Sequence, residues 1–94
     1  MTTLKITKRQ RELLIMDTYA EYPEGREGTT MEHGVPWGGA DGVLLRDEIR
    51  SGSVVTVTSF LIKEVDNRAD MDSEPTEQRV YRGLLAKLRE AMRA

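Results

Sequence analysis

Arginine is the residue type in this chain whose spacing points most plainly to chemistry. Arg79, Arg82, Arg89 and Arg93, with Ala86 between them, step by three and four residues along the C-terminal segment. On a helix turning about 100° per residue such steps stay on one side, so the four guanidiniums form a row along the axis. No acidic residue falls in that row. A guanidinium is planar, always charged and able to donate two parallel hydrogen bonds, which suits phosphate oxygens and the major-groove edge of guanine. The bland alternative is a solvated helix face in which arginine serves helix propensity and solubility. A second basic cluster, Lys5, Lys8, Arg9 and Arg11, lies at the other end of the chain and strengthens the case for anion recognition.

Catalytic constellations find less support. His33 is the sole histidine, so a histidine-pair zinc site is excluded and a Ser-His-Asp arrangement has no corroboration. Asp66, Asp70, Asp72 and Glu74 do not make a calcium loop of the EF-hand kind, because Pro75 stands where glycine is needed and Tyr81 where the closing glutamate belongs. Gly34, Gly38, Gly39 and Gly42 match neither a P-loop nor a dinucleotide fingerprint and read as turn residues. Asp47 and Glu48 are adjacent, which turns them away from each other on a helix or a strand, so they are no paired-carboxylate site. The expectation is a non-enzyme without metal or cofactor.

The elements that must position the arginines come from size, charge and periodicity. A chain of 94 residues supports one core, so residues 1–94 are read as a single domain. With 38% hydrophobic residues it is apolar enough to fold, and with no cysteine it has no disulfide framework. The formal charge of −2 is segmented: residues 1–15 and 76–94 each carry +3, and residues 16–48 carry −6. The N-terminus lacks the apolar run of a signal peptide, and no stretch reaches the length of a membrane span, so a cytoplasmic protein without membrane contact is expected.

Thr7 and Gln10 form a capping box that opens a helix over about residues 8–22, closed by Pro23 and Gly25. Residues 23–41 hold five of the eight glycines and read as a long loop anchored by Trp37. Asp41 caps a short helix carrying Leu44, Leu45, Glu48 and Ile49, with Gly52 in the left-handed position after it. The competing form is a strand over residues 43–49 that turns through Arg50-Ser-Gly-Ser53 into a second strand, giving a short β-hairpin. Residues 54–62 have β composition, yet Val57, Phe60, Leu61, Glu64, Val65 and Arg68 fall at helical spacing; a strand is favoured early and the remainder of residues 53–65 stays open. Residues 66–75 form an acidic connector, after which Ser73 caps and Pro75 opens a final helix reaching about Arg93. Val80, Tyr81, Leu84, Leu85, Leu88, Ala91 and Met92 share the face opposite the arginines and should pack on the core.

The segment SEPTEQRVYRGLLAKLR, residues 73–89, resembles the recognition helix of bacterial and phage helix-turn-helix and winged-helix regulators: a small polar start, then Val-Tyr-Arg, a leucine pair and a closing Leu-Arg. TKRQRELL, residues 7–14, is similar to their opening helix. The resemblance covers about 30 residues and implies a DNA-binding transcriptional regulator in which a preceding helix and turn set Arg79, Arg82, Arg89 and Arg93 against double-stranded DNA, with Lys8 and Arg9 assisting. The fold expected is α+β, mainly α: a small helical domain, helix-turn-helix-like, with room for one short β-hairpin, acting as a homodimer. The alternative function is a phage or accessory protein that modulates a protein partner through Trp37 in the glycine-rich loop or through the acidic middle.

Overall fold

The computed structural model describes residues 2–21 and 39–93, in the order β1 (Thr3–Lys5), α1 (Lys8–Glu21), α2 (Gly39–Ser51), β2 (Val54–Thr56), α3 (Ser59–Met71) and α4 (Pro75–Arg93). Helices dominate, and one two-stranded antiparallel sheet accompanies them, which is the small, mainly α, α+β domain expected.

Thr7 and Gln10 make the capping box that their spacing predicts. The Gln10 amide donates to Thr7 Oγ1 at 3.1 Å and the Thr7 amide donates to Gln10 Oε1 at 2.8 Å. Leu13 and Leu14 then bury completely, whereas Met16 stays 55% exposed. The expected closure of this helix at Pro23 and Gly25, the anchor Trp37 and the lone His33 lie outside the described residues.

Residues 43–49 are helical, so the hairpin alternative does not form. Burial decides it: Leu45, Arg46 and Ile49 turn inward at helical spacing, a pattern of period 3.6 that a strand of period 2 cannot satisfy. α2 starts at Gly39, ahead of the expected loop boundary, and Asp41 sits in its first turn instead of capping it. At the other end the Gly52 amide donates to the Glu48 carbonyl at 2.9 Å, but Gly52 is not in the left-handed conformation expected of it. The carbonyls are closed instead by Arg11, whose Nε donates to the Ile49 oxygen at 2.7 Å and Nη2 to the Arg50 oxygen at 3.3 Å.

The strand favoured early in residues 54–62 is β2, and its partner is the N-terminal β1, with Thr3 opposite Thr56, Leu4 opposite Val55 and Lys5 opposite Val54. Amides of Ile6 and Val57 extend the ladder to the carbonyls of Ser53 and Thr2, at 2.8 and 2.9 Å. Alternation along an antiparallel strand then turns the Thr56 amide to the far side of β2. Glu48 meets it there: its carboxylate accepts from the Thr56 amide at 2.9 and 3.0 Å and from the Thr56 hydroxyl at 2.7 Å.

Thr58 ends the extended stretch. Its own backbone is extended, and its hydroxyl accepts from the Leu61 amide at 3.0 Å, capping α3. Leu61, Val65 and Ala69 line the buried side of that helix. Because α3 runs to Met71, the expected acidic connector over residues 66–75 shrinks to Asp72, Ser73 and Glu74. α4 packs on α3, α1 and β1, burying Tyr81, Leu84, Leu85 and Leu88. Met92, expected in the same stripe, is 46% exposed, whereas Ala91 beside it packs on the core.

Loss of the Glu48 carboxylate leaves a part-buried amide and hydroxyl without their acceptor. Glu48→Ala is expected to destabilise the fold by about 1–3 kcal/mol in urea denaturation, and Glu48→Gln, which keeps an oxygen acceptor, by less.

Candidate nucleic-acid interface

The position of α4 follows from its buried side. Leu84 and Leu88 are sealed in the core, the Tyr81 hydroxyl donates to the Leu13 carbonyl of α1 at 3.3 Å, and the Gln78 side-chain amide donates to the Ala69 carbonyl of α3 at 2.9 Å. With that face fixed, the rest of the helix surface turns outward. Arg79, Arg82, Ala86, Arg89 and Arg93 are all exposed, so the row read from spacing exists as a surface feature.

Lys87 adds a fifth exposed cation to α4, on the flank towards β1. A groove of about 400 Å³ there is lined by Leu4, Lys5, Lys87, Glu90 and Ala91, so the N-terminal basic cluster meets the C-terminal one across it. Spacing alone hides that juxtaposition, because Lys5 and Lys87 lie at opposite ends of the chain. Of the N-terminal cations, Lys5, Lys8 and Arg9 are exposed. Arg9, expected to help bind DNA, is an inter-helix tie: its Nη2 donates to Glu77 of α4 at 3.2 Å, and its Nη1 lies 3.8 Å from Glu12. Arg11 is occupied at the end of α2.

Acids border the cation face at two places. Arg89 lies 3.8 Å from Asp66 of α3, with both side chains about half exposed, an ion pair held loosely enough for a stronger anion to displace. At the entry to α4, Glu74 takes the capping role expected of Ser73. Its carboxylate accepts from the amides of Glu77 at 2.8 Å and Thr76 at 3.1 Å, while Asp72 accepts from the Glu74 amide at 2.8 Å. A glutamate is long enough to reach back over its own first turn, and at a helix N-terminus its charge is favoured over a serine's neutral hydroxyl. Arg79 and Arg82 have no ion-pair partner among the described residues.

No group of three or more histidine, cysteine, aspartate or glutamate side chains among the described residues could hold a metal ion. No helix among them is long and apolar enough to cross a membrane. The exposed side of α4 presents guanidinium and ammonium donors at an open face. No protein-family model matches the chain, and comparison with curated proteins and with solved structures finds no match.

The amides of Glu77 and Thr76 hold the Glu74 carboxyl below its ordinary value, outweighing a small opposing effect of burial. A carboxyl with a depressed folded-state pKa stabilises the fold above its unfolded value and loses that contribution as pH falls through the folded one. Glu74→Gln is therefore expected to be less stable than the parent at neutral pH, with the gap closing on acidification below the ordinary carboxylate range. Urea midpoints measured across that range check it; a gap that persists in acid would contradict it.

Proposed function

We propose that this chain is a small, non-enzymatic DNA-binding regulator whose α4 lays its cation face along a double-stranded DNA backbone. The observation that carries the reading is the exposure of Arg79 and Arg82, unpaired among the described residues, in the N-terminal half of α4. The helix dipole accounts for Glu77 in the first turn of α4 and for Arg93 in the last, but its effect fades within a turn and does not reach Arg79 or Arg82. Two unpaired arginines there serve neither the dipole nor an internal salt bridge. Exposed on one side of the helix, they are available to an external anion.

The surroundings support the same reading. α3 and α4 are consecutive helices joined by three residues, the connectivity of a helix-turn-helix pair, although the contact proposed here falls on the middle of α4 and not on its first turn. Asp70, Asp72 and Glu74 crowd the turn itself, so phosphate is repelled from the entry to α4 and drawn to the stretch from Arg79 to Arg93. Lys5 and Lys87 widen that stretch on one side. Arg9 ties α1 to Glu77 of α4 while half exposed, so it can contribute charge to binding as well, and Lys8 contributes a peripheral charge. A homodimer would set two such faces side by side, a second part of the proposal that sedimentation can test independently.

Binding to duplex DNA should weaken steeply with salt, because each neutralised phosphate releases counterion. In fluorescence-anisotropy titrations, Arg79→Ala and Arg82→Ala are each expected to lower affinity across unrelated duplexes and to reduce the salt slope by about one unit. Arg9→Ala should instead lower stability more than affinity. Binding that is absent at low salt, or indifferent to the arginines, would reject the proposal.

A further inference from the structure

Gly83 sits in the middle of α4, and no packing within the described residues accounts for it. It is exposed, its backbone is helical without a left-handed φ, and a β-carbon built on it would meet nothing within 4 Å. A glycine inside a helix is among the least favourable choices, since it loses the most chain entropy on folding and contributes no side chain. Where a neighbouring helix or strand approaches closely, that cost is offset by packing. Here the space above Gly83 is open.

The neighbours of Gly83 indicate what could approach. Arg79 lies one turn before it and Lys87 one turn after it, Arg82 and Ala86 border it, and all are exposed. Glu90, two turns on, is the single acid on this exposed arc, and it lies at the groove with Lys5 and Lys87. A bare stretch of helix backbone is thus framed by cations whose side chains are long enough to close over whatever rests on it. An apolar strand or helix would gain nothing from that frame, and an acidic peptide would bring its charge on side chains that need no clearance at the helix backbone. A phosphodiester backbone is matched by it in charge, and its bulk needs the clearance that a missing side chain provides.

We infer that Gly83 is the point of closest approach between α4 and the DNA backbone, a positioning residue that lets Arg79, Arg82 and Lys87 reach phosphates on either side. This rests on the DNA-binding reading and sharpens it, because it names the part of the helix that the strand crosses. The backbone passes over the middle of α4, not over the acidic turn before it.

The test exploits two readouts that must move in opposite directions. Gly83→Ala removes a helix-breaking residue from an open position, so the melting temperature should rise by roughly 2–8 °C. The same methyl group intrudes where the strand should rest, so affinity for a duplex oligonucleotide should fall by about tenfold, as it would if one charge-assisted hydrogen bond to phosphate were broken. Gly83→Leu, also a better helix former than glycine, should be stabilised as well and bind more weakly still. Stabilised variants that bind like the parent would overturn the inference and leave the DNA-binding reading intact. Variants that lose stability would also overturn it, by showing that the glycine serves the fold. A parent protein that fails to bind any duplex at low salt removes both.

Discussion

Burial of one side of α4 is the constraint on which the remaining structure depends. α4 is the element that touches α3, α1 and β1 alike, and it does so through a stripe of four buried side chains, Tyr81, Leu84, Leu85 and Leu88. Each fully buried leucine contributes about 1.5–3 kcal/mol relative to exposure, so rolling the helix by even one position would cost more than a domain of this size can spare. The Tyr81 hydroxyl and the Gln78 amide, bonded to α1 and α3, fix the roll further. The consequence lies on the other side. What α4 shows to solvent is settled by what it hides, so the backbone positions that carry the cations are fixed.

The small sheet works as a strap across the helices. β1 and β2 contribute three residues each, too few to be stable alone, and they persist because Val55 is in the core and Glu48 closes the outer edge of β2. This strap brings Lys5 beside α4 and so joins the two basic ends of a chain whose middle is acidic. A formal charge of −2 gives no hint of such a surface, because repulsion from acids depends on where they lie.

Local signals are legible in the sequence, and pairings distant along the chain are not. The Thr7–Gln10 box, the helix opened by Pro75 and the row of four arginines each rest on spacings within a few turns, where helix geometry leaves little choice. Residues 53–65 are ambiguous in sequence because β-branched composition and helical spacing coexist there; Thr58 resolves them by capping, placing a strand before it and a helix after it. The segment Thr3–Lys5 is too short to carry a strand pattern, and its partner lies about fifty residues away. Serine is the commoner cap, which favours Ser73 over Glu74 on sequence grounds, whereas a longer carboxylate that bridges two amides fills the role here. Likewise Arg9 looks free when only the sequence is considered, and it takes the packing of α1 against α4 to bring Glu77 to it.

The charges of α4 separate into those the fold needs and those it does not. Glu74 closes the first turn, Glu77 holds Arg9, and Arg93 complements the negative end of the helix dipole, so each is accounted for within the molecule. Arg89 is partly accounted for by Asp66. Arg79, Arg82, Lys87 and Glu90 remain, the last two sharing a groove with Lys5, and the three cations surround Gly83, where a β-carbon would meet nothing. Helical spacing places them around Gly83, where a partner could meet close approach and positive charge together.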